Sequence, residues 1–511
     1  MARITNWISH QSIEHYPTPI ARQLYQPPFS EFVIMHFNIL NGGDYFSNSV
    51  QLFFLGFSLI AIVSIVELLG LSRQYKLIAV VLTVTIPEAI LQASSTQNDI
   101  VVSFFILTAI YFAVKSIKEV LFQNYFFLGI SIGLGALTKG TAYIYIAPIL
   151  FIFAIEVFIK LYKTKNYTYI GYSLVTALVF ICINSGYYIR NYHLNKNILG
   201  VDKTESKCYS NEKMTPLLFL SNITRNAGLQ IGPFPINIVS NKVIYMLHSV
   251  AGVDVNNPAT TFLDTKYSGS PSIPNHEDNA SNPIHFYFII LSFILISIAV
   301  FKNKTGFSKI VLYLIMVSLQ AMIFCLYLRW QPWHSRLHTP LFMLSIPIVC
   351  YAISVNGKFY KILYKILPFI ILYACLVISF NWSRPFLSNK YTARISVSDI
   401  RYKKYFVNRP ELFGEYNVIM ERVLKMNYKN IGILLRDDDW EYPLFSQFYG
   451  KGINPIHINV LNGTKNIPVA MDNINCIVST KIKDAVIDFK GKRFYNQDVK
   501  NKNIWFYMPN K

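Results

Sequence analysis

The chain has 511 residues, of which 53% are hydrophobic and 14% charged, whereas soluble domains carry roughly 25% charged residues. Its 47 basic and 27 acidic residues give a net charge of +20. This composition excludes a disordered chain, a collagen, a coiled coil and a disulfide scaffold. Basic charge in so apolar a chain fits loops beside an anionic lipid bilayer better than a nucleic-acid groove. We therefore predict an α-helical polytopic membrane protein without a nucleic-acid partner.

Apolar runs predict about ten transmembrane helices, because a spanning helix needs roughly 20 predominantly apolar residues. The predicted spans are 48–70, 77–95, 99–115, 125–138, 140–160, 168–189, 284–301, 309–328, 337–355 and 361–381. The two segments beside Lys139 are short, so one broken hairpin is an alternative there.

Lysine and arginine mark every second connection between these spans, which predicts that those connections are cytoplasmic. They hold Arg73, Lys76, Lys115, Lys118, Lys160, Lys163, Lys165, Lys302, Lys304, Lys309, Lys358, Lys361 and Lys365. The opposite face then carries a first loop, 1–47, a large loop, 190–283, and a C-terminal domain, 385–511. We expect a multi-pass protein of the cytoplasmic (inner) membrane whose active face and C-terminal domain are extracytoplasmic. The inverted orientation would place five basic connections outside and is disfavoured.

The N-terminal segment is polar, and no apolar helix in this sequence precedes it to carry it across the membrane. We therefore expect a transmembrane helix and the start of the first outer loop upstream of Met1. The C-terminal region alternates short apolar runs with polar stretches, which predicts a small α/β domain. Its predicted strands are Ile431–Leu435, Ile456–Val460, Cys476–Ser479 and Ile504–Met508.

Two polar motifs fall on the predicted outer face. The first runs from Tyr25 and Gln26 through two prolines to Glu31, with Glu14 nearby; prolines keep such a segment out of a helix. An interfacial loop is the alternative interpretation. The second is a run of six polar residues ending in Asp99. Helix capping explains one such carboxylate, but an acid at the rim of an outer cavity is also a functional candidate.

Cations on the same face could hold a lipid phosphate. Lys139 lies in a Thr-Lys-Gly turn, and Arg190 ends a predicted helix; arginine can bind phosphate in bidentate fashion. Snorkelling to the interface is the alternative for both residues. A third cluster, between Arg329 and His338, contains two Trp that can stack on sugars, together with His334 and Arg336.

Metal and acidic candidates are weaker. A helical turn would place His334 and His338 on one face, but without a third ligand we predict no metal site. The segment His276, Glu277 and Asp278 could supply a catalytic carboxylate or a metal ligand, or be a solvated loop. The acidic turn 437–443 could bind an acceptor sugar, although helix capping is the favoured interpretation.

Together these motifs resemble bacterial members of the C-type glycosyltransferase superfamily, in the branch of protein O-mannosyltransferases and lipid A aminoarabinose transferases. The resemblance covers roughly residues 1–384 and rests on QLYQPP, STQND, TKG, RN and RWQPWHSRLHTP in that order. It implies transfer of a sugar from a polyprenyl-phosphate carrier to a lipid, glycan or protein acceptor on the outer face. In that chemistry a loop carboxylate takes the acceptor proton while cations stabilise the departing phosphate.

The resemblance also implies roles for individual residues. Asp99 takes the second acidic position and is our catalytic candidate. The donor phosphate and its cavity are assigned to Lys139, Arg190, Arg329, Arg336, His334, Tyr25 and Gln26. Candidates for the acceptor or its loop are Glu14, Glu31, His276, Glu277 and Asp278.

Two departures from the family pattern bear on activity. The principal acid of relatives would stand immediately upstream of Met1, so the chain as written is expected to be incomplete or inactive. Tyr25 and Gln26 replace the acid and lysine that aminoarabinose transferases carry before the paired prolines.

No cofactor is predicted with certainty, and a divalent metal ion is left open. Two other functions stay open: a transporter or flippase of lipid-linked sugars, and a polysaccharide polymerase or ligase.

Overall fold

The structure is a computed structural model that describes residues 1–201, 207–302, 309–386, 388–396, 398–436, 439–448, 450–468 and 473–509. Residue contacts divide the chain into two units. The helical unit comprises Asn48–Ser185 and Lys203–Trp382. The mixed unit comprises Met1–Ser47, Gly186–Asp202 and Ser383–Lys511.

Long apolar helices make up most of the helical unit. Within the described residues, seven are long and apolar enough to cross a membrane: Ser49–Leu68, Asp99–Lys118, Ala142–Thr164, Thr168–Asn195, Pro283–Phe301, Lys309–Tyr327 and Gly357–Ser379. The last residues of Thr168–Asn195 extend into the mixed unit. The prediction of a polytopic helical membrane protein is confirmed.

Three of the ten predicted spans are shorter or broken. Thr339–Val355 is apolar but has only 17 residues, and Phe122–Thr138 also has 17. The predicted span 77–95 is divided into Arg73–Val84 and Pro87–Gln92. Proline has no N–H to continue the first helix and instead fits the first turn of a new one.

The helix Asp99–Lys118 lies at the centre of this unit, packed between Ser49–Leu68 and Phe122–Thr138. Glycines allow Phe122–Thr138 to approach Thr168–Asn195 closely. A Cβ atom at Gly129 would lie 2.8 Å from the Cβ of Val179, and one at Gly133 would lie 2.9 Å from Cδ1 of Ile183.

The long loop of the helical unit is partly helical, a feature that hydropathy did not predict. It contains Pro216–Gly228 and Ile236–Val250. Arg225 is buried between them and the following loop, where its guanidinium donates to the Val255 carbonyl and to Thr260 and Thr261. These bonds hold the loop against Trp330, whose ring lies 5.7 Å from the Arg225 Cζ.

The mixed unit contains a six-stranded sheet in the order β2-β1-β3-β6-β5-β4. The strands are β1 Asn430–Leu434, β2 Asn454–His457, β3 Cys476–Ser479, β4 Val486–Phe489, β5 Lys492–Asn496 and β6 Trp505–Pro509. β1 pairs in parallel with β2 and β3, and the other pairings are antiparallel. The predicted α/β character of this region is confirmed.

Short helices complete the two units. In the mixed unit they are Ala2–His10, Arg22–Tyr25, Phe29–Asn41, Arg401–Lys404, Phe413–Lys425 and Tyr442–Ser446, with 3-10 turns at Pro410–Leu412 and Gly463–Asn466. The helical unit adds His334–Leu337. The Phe413–Lys425 helix packs its buried face of Tyr416, Ile419, Met420 and Val423 into the core formed with β1 and β3.

Within the described part of the acidic turn before Tyr442–Ser446, the residue at the cap position does not make the side-chain cap that the sequence favoured. Asp437 and Asp438 lie outside the described residues, and Glu441 stands at the cap position without a side-chain cap bond. Its carboxylate instead lies 2.7 Å from Nε2 of His457 in β2. Asp439 accepts from the backbone N–H of Arg436 at 2.7 Å. Glu441 therefore connects this turn to β2.

Candidate functional site

Two turns at one end of the helical unit create the central pair of the candidate site. Asn98 precedes the helix Asp99–Lys118, and its amide donates to the Thr138 carbonyl at 3.1 Å. Lys139 follows directly, in the turn before Ala142–Thr164. Its Nζ atom lies 2.5 Å from Oδ1 of Asp99. The polar runs that the sequence singled out separately thus meet in one ion pair.

The ion pair between Asp99 and Lys139 is buried, and burial affects the pKa of Lys139. The Asp99 side chain is 1% exposed and the Lys139 side chain 15%. Burial lowers the pKa of Lys139, because the charged ammonium is desolvated, while the Asp99 carboxylate opposes that shift. The second oxygen of Asp99, Oδ2, accepts no hydrogen bond from any described residue. Asp99 therefore keeps a lone pair that can accept a proton.

A second, more open ion pair lies within electrostatic range of the first. Nη1 of Arg336 donates to Oδ1 of Asp278 at 2.7 Å, and Nδ1 of His276 lies 3.7 Å from Oδ2 of the same carboxylate. The carboxylate of Asp278 raises the pKa of Lys139, and the guanidinium of Arg336 lowers it. The structure thus brings four predicted residues together: Asp99, Lys139, Asp278 and Arg336.

Buried amide side chains hold these turns in place, and no pattern in the sequence singled them out. Oε1 of Gln51 accepts from the backbone N–H of Ile100 at 2.8 Å, and its Nε2 donates to Ser95 Oγ at 2.9 Å. Gln92 donates to the Glu277 carbonyl at 2.6 Å and to Oε1 of Glu88 at 3.1 Å. Glu277 therefore joins this network through its backbone oxygen.

Glu88 was not among the predicted site residues. It is fully buried and lies within electrostatic range of Asp99, Asp278 and Arg336. Its backbone N–H donates to Oδ1 of Asn282 at 2.9 Å. The available signal was a carboxylate directly after Pro87 in an apolar run, which is costly without a partner.

Arg329 has a structural role. It lies 2.6 Å from Glu212 and donates to the carbonyls of Ser210 and Pro258 at 3.0 and 3.1 Å. All three guanidinium nitrogens therefore have protein partners, and the assignment of Arg329 to the donor phosphate stays a prediction.

His334 is also a packing residue. Its Nδ1 lies 2.8 Å from Oδ1 of Asn226, and its ring centroid lies 4.9 Å from that of Phe324. Burial lowers the pKa of His334 well below its ordinary value, so the ring is neutral. Among the described residues, no three His, Cys, Asp or Glu side chains are grouped as metal ligands.

The predicted residues of the first loop belong to the mixed unit, where Arg3 organises two of them. Nη1 of Arg3 donates to the Gln26 carbonyl at 2.8 Å, and its Nη2 lies 2.7 Å from Glu31. Tyr187 donates to the Tyr25 carbonyl at 2.6 Å. Arg3 was not predicted, because its partners become neighbours only through the fold.

The remaining two candidates, Glu14 and Arg190, interact electrostatically within the mixed unit. His15 lies in the same environment. Burial, followed by the positive charge of Arg190, lowers the pKa of His15 to about 4. His15 is therefore neutral at physiological pH, and Arg190 keeps a positive charge beside Glu14.

Fold and site together define a multi-pass helical membrane protein with paired charges at one end of its bundle. Residues 25–184 match the family described as dolichyl-phosphate-mannose-protein mannosyltransferase. The match includes Asp99 and Lys139 and stops before Asp278 and Arg336. It confirms the predicted resemblance to membrane glycosyltransferases of this branch over that part of the chain.

Other comparisons add little. No curated protein matches the chain. The crystal structure of the Archaeoglobus fulgidus oligosaccharyltransferase complex with Zn and sulfate is similar at a TM-score of 0.35 and 12% identity. That similarity covers 93% of this chain and 62% of the archaeal chain. A TM-score this low supports neither a shared fold nor a shared activity.

Proposed function

We propose that the protein is a membrane glycosyltransferase that moves a sugar from a polyprenyl-phosphate donor to a lipid, glycan or protein acceptor outside the cytoplasmic membrane. The observation that carries the proposal is the buried Asp99 carboxylate with its unbonded Oδ2, paired to Lys139. The family match over residues 25–184 supports the same class of reaction.

The cations suit a lipid phosphate. Lys139 is paired with a carboxylate in this structure, and Arg336 is paired with Asp278. A donor phosphate offers each cation a second anion, and charge-assisted bonds to phosphate are strong. When Lys139 turns toward that phosphate, Oδ1 of Asp99 is also released.

Asp99 then acts as the general base. The acceptor hydroxyl gives its proton to the Asp99 carboxylate, and the hydroxyl oxygen forms a bond to the anomeric carbon. The bond between that carbon and the phosphate oxygen breaks. Its electron pair leaves with the polyprenyl phosphate, whose charge is balanced by Lys139 and Arg336.

The test uses the full-length protein in membranes with labelled polyprenyl-phosphate sugars and a panel of acceptors. Asp99→Asn is expected to lower transfer by about 100-fold or more, the usual contribution of a general base. Asp488→Asn is the matched control, because that carboxylate is 61% exposed and 3.9 Å from Arg493. Undiminished transfer with both Asp99→Asn and Arg336→Ala would remove the site assignment. Absence of transfer across the donor panel would remove the function.

A further inference from the structure

A cavity lies in the helical unit, at the end of the Asp99–Lys118 helix opposite to Asp99. It has a volume of about 360 Å³ and is enclosed by Ser49–Leu68, Asp99–Lys118, Ala142–Thr164 and Lys309–Tyr327. The Asp99 helix has 20 residues and is therefore roughly 30 Å long at about 1.5 Å per residue. This cavity, lined by Lys118 at the helix end, is thus separate from the Asp99 site.

The cavity is apolar inside and cationic at its mouth. Its walls include Ile110, Ile149, Phe153 and Met316. Lysines from three different helices contribute to its lining: Lys118, Lys160 and Lys309. Glu156 is the acidic residue in the lining, so the three lysines outnumber the carboxylates there.

The three lysines lie close together, and two of them are in direct contact. The side chains of Lys118 and Lys309 interact directly with each other. In the described portions of the chain, no carboxylate forms an ion pair with Lys118, Lys160 or Lys309. Like charges at such close range repel one another, and a bound anion relieves that repulsion.

We propose that this cavity binds an anionic phospholipid, with an acyl chain between the four helices and the phosphate between Lys118, Lys160 and Lys309. The apolar walls favour a hydrocarbon chain over a free phosphate ion, because only the chain removes that surface from water. The cationic mouth selects an anionic headgroup over a zwitterionic one. The lipid would fasten the ends of three helices to one another.

The test compares lipid binding to the full-length protein in detergent. The probes are phosphatidylglycerol and phosphatidylcholine, read out by native mass spectrometry and by the thermal midpoint. The variant Lys118→Gln/Lys160→Gln/Lys309→Gln removes the cationic mouth. The control variant Lys358→Gln/Lys361→Gln/Lys365→Gln removes the same charge from exposed positions of the Gly357–Ser379 helix.

The wild type and the control are expected to retain one phosphatidylglycerol and to be stabilised by it. The variant Lys118→Gln/Lys160→Gln/Lys309→Gln should bind phosphatidylglycerol about a hundredfold more weakly, because each lysine near an anionic headgroup contributes to the free energy of binding. Equal retention by both triple variants would overturn the proposal. Equal binding of phosphatidylcholine by the wild type would overturn it as well.

A second variant keeps the proposal testable if the triple variant does not fold. Ala113 is in the lining and is 7% exposed, so Ala113→Leu fills part of the cavity and leaves every lysine in place. It should also weaken phosphatidylglycerol binding. Unchanged binding in the Ala113→Leu protein would contradict the placement of the acyl chain.

Discussion

The Nζ atom of Lys139 lies 2.5 Å from the Oδ1 atom of Asp99, although the two residues are 40 positions apart. The hydrogen bond from Asn98 to the Thr138 carbonyl holds their two turns together. Because both side chains are largely buried, a charge left without its partner is costly at either position.

Removing one member of the pair should cost stability, and removing both should restore it. Lys139→Gln leaves the Asp99 charge buried and is expected to lower the free energy of unfolding by about 3 kcal/mol. Asp99→Asn/Lys139→Gln carries no unpaired charge and should recover most of that loss. Denaturation in detergent measures both effects, and transfer activity should be absent from the double variant.

An exposed arginine provides the control for that series. Arg493→Gln removes a pair whose side chains are 71% and 61% exposed, and exposed pairs contribute about 0–1 kcal/mol. A double variant no more stable than Lys139→Gln alone would show that the pair is not coupled.

The binding of polyprenyl phosphate should fall as the pH rises, as Lys139 loses its proton. Burial lowers the pKa of Lys139 from its ordinary value of 10.5, so the ammonium is charged below that lowered pKa and neutral above it. Asp99 raises this pKa, and Asp99→Asn should therefore move the fall in binding to still lower pH. Affinity for unreactive polyprenyl phosphate, measured across the alkaline range, provides the profile.

Replacing Lys139 with arginine distinguishes loss of the Lys139 proton from general unfolding of the protein at alkaline pH. Lys139→Arg keeps its charge throughout the range, because arginine does not lose its proton there. The fall in binding should then disappear. If Lys139→Arg shows the same alkaline profile as the wild type, Lys139 is not the titrating group.

Arg3 should stabilise the mixed unit. It is 4% exposed and bonds the carbonyls of Gln23 and Gln26 together with the Glu31 carboxylate. Arg3→Met leaves those acceptors without their donor and is expected to cost about 3 kcal/mol. Thermal unfolding followed by near-ultraviolet circular dichroism measures the loss. A change no larger than that of Arg493→Met would contradict the prediction.

The sequence predicted the parts of the site that depend on local pattern. Asp99 and Lys139 stood out because polar turns interrupt long apolar runs, and those runs became the helices. The pairing of Asp278 with Arg336 depends on packing between distant segments, which no local pattern records. Gln51 and Glu88 were not among the predicted site residues, because only the fold brings their side chains into the hydrogen-bond network.

The strands of the sheet were likewise predicted only where the local sequence pattern is apolar. The predicted strands β1, β2, β3 and β6 are apolar runs, and each is largely buried. β4 and β5 were not predicted because they contain the exposed charged residues Asp488, Lys492 and Arg493. β5 pairs with β6 and β4 pairs with β5, and this pairing at one edge of the sheet makes them strands.

We expect the Asp99 site to lie outside the cell and the lysine-rich connections to lie inside. Thr96 and Lys165 are exposed near the two ends of the bundle. Replacing all six native cysteines with serine first gives a background without thiols.

Labelling Thr96→Cys and Lys165→Cys in intact cells with a membrane-impermeant maleimide then tests sidedness directly. We predict that Thr96→Cys is labelled in intact cells and that Lys165→Cys is labelled only after permeabilisation. The reverse pattern would place the site in the cytoplasm and contradict the proposed reaction.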